Sequence, residues 1–123
     1  MKFPKNLRSL LLLLVLFGAV LSSCSKKREG KPKVLVFSKT AGYYHESIPQ
    51  GIAAIQKLGA ENGFDVDTTK NAELINEENL AQYATVIFLS TTGDVLNNYQ
   101  EADFERYVQS GGGFLGIHAA ADT

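Results

Sequence analysis

Beyond residue 33 the chain alternates between two hydrophobic periods. Val34-Leu35-Val36-Phe37 is an apolar, β-branched run without polar interruption, the pattern of a strand covered on both faces. Over residues 47–62 the period lengthens: Ile48, Ile52, Ile55 and Leu58 recur at four, three and three, which predicts one buried helical face, stopped by Gly63. Phe64-Asp65-Val66-Asp67-Thr68 predicts a shorter, alternating strand, and Asn76 begins a short helix ending near Leu80. Thr85-Val86-Ile87-Phe88-Leu89 predicts a third strand. A helix over residues 97–110 is expected to turn Phe104, Tyr107 and Val108 inward and to end at Gly111, before a fourth strand at Gly113-Phe114-Leu115-Gly116-Ile117.

Strands separated by helical segments imply crossover connections and a parallel sheet, so the expected class is α/β with an open, doubly wound sheet. Ligands of such sheets sit beyond the carboxyl ends of the strands. Three loops qualify, at residues 38–47, 90–94 and 118–123, and they hold both histidines of the chain, His45 and His118.

The amino terminus changes the picture of where this domain resides. Lys2, Lys5 and Arg8 precede an apolar run over residues 10–21, then Ser22 and Ser23, the pattern of a secretory signal peptide. The run is too short for a spanning helix, which needs roughly 20 apolar residues. Leu21-Ser22-Ser23-Cys24 resembles the lipobox of bacterial lipoproteins, and Cys24 is the only cysteine. The division expected is a signal peptide at 1–23, a tether at 24–32 after a lipidated Cys24, and one domain at 33–123. The resemblance implies export to the cell envelope, on the periplasmic side or the cell surface, and a membrane held as partner through the lipid. A plain signal peptide with an incidental cysteine is the alternative.

Residues 24–123 carry nine Lys and Arg against thirteen Asp and Glu, a net charge of −4. This balance gives no support to a nucleic-acid partner. One hundred residues suffice for one small core and not for two.

The candidate chemistry gathers at the strand-end loops. His45 lies before a helix start with Ser47 as its expected cap and Pro49 in the first turn; its imidazole can shuttle a proton near neutral pH or simply bond a nearby backbone group. Gly116-Ile117-His118-Ala119-Ala120 has the outline of a nucleophile elbow, where small neighbours let a sharp strand-to-helix turn expose one side chain. The alternative is a histidine that caps the following helix or packs in the core. Thr92 and Asp94 could line a polyol pocket or form a solvated turn, and Tyr43 and Tyr44 could stack on a sugar ring or cover the sheet edge. Gly111-Gly112-Gly113 reads as a helix stop with close helix-to-strand packing, since no Lys-Ser/Thr follows to make a phosphate loop.

Residues 40–48, with Thr40-Ala41-Gly42-Tyr43-Tyr44-His45-Glu46-Ser47-Ile48, and residues 111–122, with Gly116-Ile117-His118-Ala119-Ala120-Ala121-Asp122, together resemble the ThuA-like (trehalose utilisation) family. The resemblance covers 33–123. It implies a flavodoxin-like sandwich similar to class I glutamine amidotransferases and a role in sugar or glycoside catabolism, commonly in exported or lipid-anchored proteins. His118 and His45 match the motif histidines and are the candidate catalytic residues; Tyr44, Thr92, Asp94 and Asp122 are candidate carbohydrate contacts. Where the amidotransferases need a cysteine, this chain has His118, and Ala120 replaces the last elbow glycine. Covalent glutamine hydrolysis through an elbow thiolate is therefore excluded.

The expected function is a lipid-anchored domain that acts on or binds a carbohydrate, with a non-catalytic carbohydrate-binding or scaffold module as alternative. No cofactor is assigned, and a metal site has two visible imidazoles where catalytic zinc usually takes three protein ligands. Family members run past the elbow, so the sequence reads as an N-terminal fragment truncated after the fourth strand. An open apolar face and marginal stability are expected there.

Overall fold

Four parallel strands carry the domain: β1 (Lys33–Phe37), β2 (Asp65–Thr69), β3 (Thr85–Leu89) and β4 (Gly113–Ile117). The computed structural model describes residues 30–123, so the signal peptide, Cys24 and most of the tether lie outside the described residues. Among the described residues, three helices, α1 (Ile48–Asn62), α2 (Glu77–Leu80) and α3 (Asn98–Gln109), and two 3₁₀ turns, Ala72–Leu74 and His118–Asp122, accompany the strands.

The strands lie in the order β2-β1-β3-β4. From β1 the chain steps outward to β2, then crosses back to β3 and on to β4, which is the flavodoxin-like arrangement with its switch point between β1 and β3. Register aligns the tips: Phe37 faces Phe88, and Leu89 faces Ile117.

Two cores flank the sheet because β1, β3 and β4 are apolar at consecutive positions, whereas β2 alternates. Val34, Val36, Ile87 and Leu89 pack under Ile48 and Ile55 of α1. Leu35, Phe37, Val86 and Phe88 pack with Leu80 of α2, Tyr107 of α3 and Ile75 on the opposite face. The α/β reading of the sequence holds on both sides.

Three local expectations shift. Leu58 is 51% exposed, because the buried stripe of α1 runs through Ile48, Ile52, Ile55 and Gly59 instead. Gly59 is the residue pressed to the sheet: a Cβ there would lie 2.7 Å from the Phe64 carbonyl oxygen and 2.8 Å from Val66. Ser47 begins α1 in a helical conformation without a side-chain cap bond. In α3 the buried stripe is Gln100 and Tyr107 with Phe104 beside it, and Val108 turns to an open groove. That helix has the full capping box, Asn97 accepting from the Gln100 amide while Gln100 Oε1 accepts from the Asn97 amide.

β4 is one of the two outer strands of the described sheet, β2 being the other. Phe114 and Leu115, on opposite faces by strand alternation, are each 49% exposed, so an apolar edge stands open there.

At the other end of the sheet Lys33, Asp67 and Tyr83 form one polar cluster. The Lys33 ammonium lies 2.9 Å from Asp67, and the Tyr83 hydroxyl donates to the same carboxylate at 3.0 Å. The lysine holds the Asp67 carboxyl below its ordinary value, against the opposing effect of burial. Burial first, and the carboxylate second, pushes the Tyr83 phenol up to about 12. A raised phenol binds its proton more tightly folded than unfolded, so its contribution is full below pH of about 10 and fades as pH rises through about 12. Wild-type protein should lose about 1 kcal/mol or more across that window, and Tyr83→Phe should flatten the decline. Denaturant titrations at stepped alkaline pH measure it. Asp67 acts with opposite sign, its contribution fading as pH falls below the carboxylate range.

Candidate functional site

The switch point sets the stage for a site at the tips of β1, β3 and β4. After β1 the chain forms a single bridge between Thr40 and Thr92, so the loop is pinned to the one that follows β3. The Thr92 carbonyl accepts from both the Ala41 and Gly42 amides, and the Thr92 hydroxyl donates to the Tyr43 carbonyl at 2.8 Å. With three bonds on one residue, Thr92 fixes the strand of loop that leads to His45. Gly93 permits this approach: it has φ of 69°, and a Cβ would stand 3.3 Å from the Gly42 nitrogen.

β4 ends in the turn expected of an elbow. His118 has φ of 58°, a left-handed conformation rare for a residue with a side chain, and it opens the 3₁₀ turn His118–Asp122. Such a conformation persists only where the surroundings impose it. Gly116 gives room for the return, with Ala120 Cβ at 3.3 Å from where its own Cβ would be. Ser90, at the tip of β3, is also left-handed (φ 50°) and donates its amide to the Ile117 carbonyl, tying the neighbouring tip to the elbow. The turn is tied again where the Gly93 amide donates to the Asp122 carbonyl and where the Thr123 and Thr91 hydroxyls meet at 2.7 Å.

These constraints bring the two imidazoles together. The rings of His45 and His118 have centroids 4.5 Å apart at 77°, and Tyr43 sets its ring edgewise on His45 at 4.9 Å. His45 is half-buried and His118 exposed, so the pair faces an open surface. Among the described residues no hydrogen bond or ion pair takes up either imidazole, which leaves their nitrogens to whatever docks there. Nor, among the described residues, do three or more His, Cys, Asp or Glu gather as a metal-binding group.

The remaining candidates separate. Tyr44 lies under the Lys70 ammonium, 5.5 Å from the ring centre, and it is Tyr43 that touches the histidine pair. The sequence offered both tyrosines; only the backbone path pinned by Thr92 distinguishes them. Thr92 itself is buried and its hydroxyl proton is committed to Tyr43, which makes it a support for the loop. Asp122 is exposed and reaches the site through its carbonyl. Asp94 borders two hollows on the α3 side of the sheet, one apolar, of about 490 Å³, between α3 and β4, and one polar, of about 420 Å³, beside Lys39. Neither contains an imidazole.

The family model described as ThuA, trehalose utilisation, matches residues 33–123. Among solved structures, a ThuA-like protein from Bacteroides uniformis ATCC 8492 is similar at 26% identity with a TM-score of 0.62, over 79% of this chain and 40% of that one. The chain thus spans about two fifths of that protein's length. No curated protein matches it.

Proposed function

As the chain belongs to the ThuA, trehalose utilisation, family, we propose that it acts on a carbohydrate at the carboxyl end of its sheet, with His118 and His45 as a proton-transferring pair. The observation that carries this reading is the 4.5 Å approach of two imidazoles from different strand tips, one on a strained elbow. Imidazole is suited to proton transfer near neutral pH, so one ring can take a proton from a water attacking the anomeric carbon as the other donates a proton to the departing glycosidic oxygen. Positioned acid–base transfer of this kind contributes about 10²- to 10⁴-fold to rate. Tyr43, 72% exposed and edge-on to His45, is placed to cover one face of a docked ring. No thiol stands at the elbow, so the chemistry needs no covalent cysteine intermediate.

The same reading includes export and a lipid on Cys24, supported by the basic, apolar and small-residue order of the first 24 residues. Two or more acyl chains on that residue would hold the domain stably at a membrane.

The test is a titration of the protein with trehalose and other glucosides, followed at the imidazole resonances and by product analysis. Both histidines are expected to move together and product to accumulate. Movement without product over hours supports a carbohydrate-binding module instead, and unmoved imidazoles with product formed elsewhere contradict the site.

A further inference from the structure

Among the described residues no hydrogen bond runs directly from the loop that carries His45, residues 38–47, to the turn that carries His118, residues 118–123. Both are held instead by Thr91, Thr92 and Gly93, which lie between them. Thr92 holds the His45 loop, accepting from the Ala41 and Gly42 amides and donating to the Tyr43 carbonyl. Thr91 and Gly93 hold the His118 turn, through the Thr123 hydroxyl at 2.7 Å and the Asp122 carbonyl at 3.0 Å. Successive residues therefore grip opposite loops. The separation of the two imidazoles follows the path of this one segment.

That path begins at Ser90. Its amide donates to the Ile117 carbonyl, one step beyond the last paired residues of β3 and β4, and its φ of 50° then turns the chain out of the strand direction. Positive φ belongs mostly to glycine and asparagine, and a β-branched residue adopts it only under strain. The side chain of Ser90 offers no reason for bearing this cost: it is buried, and its hydroxyl bonds to none of the described residues. What Ser90 supplies is the turn of its backbone, held in place by the bonds on either side of it. With φ in the ordinary negative range, the same residue would carry Thr91 and Thr92 away from their partners and release both loops together.

We infer that Ser90 is the positioning residue of the histidine pair: its left-handed backbone sends residues 91–93 between the two loops and so fixes the distance between His45 and His118. The inference rests on the proton-transfer reading of that pair and adds what keeps its members together. Ser90 itself touches neither ring and acts through the segment it directs.

The experiment compares Ser90→Gly, Ser90→Ala and Ser90→Thr in the full chain. Glycine keeps the turn and loses the hydroxyl, whereas threonine keeps the hydroxyl on a β-branched side chain that this φ disfavours. The readouts are cross-peaks between the His45 and His118 ring protons, kcat and KM for trehalose, and the unfolding midpoint. Ser90→Gly should keep the wild-type cross-peaks and kcat, and should unfold roughly 4 °C or more above Ser90→Ala. Ser90→Thr should lose the cross-peaks, and its kcat should fall by about tenfold or more while KM changes far less, because misplaced groups slow the reaction more than they weaken docking. A merely structural Ser90 would move the midpoint and leave the cross-peaks and kcat of the folded protein alone.

Intact cross-peaks and kcat in Ser90→Thr, or their loss in Ser90→Gly, overturn the inference. If Ser90→Thr does not fold, the other two variants decide: a glycine variant less stable than the alanine one, or one without cross-peaks, overturns it as well. Should wild-type protein leave trehalose intact, the carbohydrate reading is contradicted, and the cross-peaks and midpoints still support or overturn the role of Ser90. Cross-peaks lost in Ser90→Thr with kcat unaltered uphold Ser90 as the residue that places the rings and contradict their part in proton transfer.

Discussion

His118→Ala should lower turnover of a responsive glucoside by about 10²- to 10⁴-fold while leaving the protein folded. His118→Gly should be equally inactive and more stable than His118→Ala. The reason lies in the backbone: at φ of 58° a residue bearing a Cβ carries strain of about 1 kcal/mol or more, which glycine does not. An ordinary surface histidine would show neither the activity loss nor this inversion, since glycine normally destabilises relative to alanine. Thermal unfolding of the two variants, set beside their product formation, reads both. Should His118→Ala turn over substrate at the wild-type rate, the acid–base role fails. If glycine proves the less stable of the pair, the elbow is not strained as described.

The largest effect on stability is expected far from the site, at Gly112. A Cβ there would stand 2.3 Å from Tyr107 Cζ and 2.4 Å from both adjoining ring carbons, well inside contact distance. Tyr107 cannot simply move aside. It is buried in the α3-side core, its ring is stacked on Phe104, and its hydroxyl donates toward the Tyr83 and Gly113 carbonyls. Gly112→Ala should therefore cost about 3 kcal/mol or more, at the upper end of overpacking effects. In a domain of this size that lowers the unfolding midpoint by roughly 12–24 °C. Tyr107→Ala should itself cost about 3–5 kcal/mol through the cavity it leaves. The double variant should be far less damaged than the sum, because the new methyl enters the space the ring vacated. Additive losses would show that the two residues do not compete for one volume.

Much of this architecture was legible because its signals are local. Three apolar runs and one alternating stretch, separated by helical segments, point to the parallel sheet and its helices, and Gly63 and Gly111 mark helix ends, both in left-handed geometry. The Gly111-Gly112-Gly113 triplet reads correctly as punctuation and close packing, since two of its members touch Tyr107 and Thr85 where any side chain would clash. Leu58 misled because an apolar residue at helical spacing looks inward, whereas the helix approaches the sheet at Gly59, whose lack of a side chain carries no hydrophobic signal. Val108 misled for a related reason: it is apolar and lies beside the inward stripe, but it borders the groove next to β4.

The candidate site was legible in its histidines and not in its supports. His45 and His118 stood out through position at strand ends. Thr92 looked like a ligand contact because a threonine hydroxyl signals polarity without direction; only the bond to the Tyr43 carbonyl shows where it points. Tyr43 and Tyr44 are adjacent and identical, and the turn that sends one to His45 and the other to Lys70 is set by long-range pairing with the β3 loop.

The meeting of the two imidazoles is tested most directly by nuclear Overhauser contacts between their ring protons in the folded chain, with His45→Gln and His118→Gln to assign each ring. Tilted rings at 4.5 Å bring edge protons of one onto the face of the other, so strong cross-peaks between His45 and His118 are predicted, accompanied by weaker ones from His45 to Tyr43. Rings that show no mutual cross-peak while each retains contacts within its own loop would contradict a shared site.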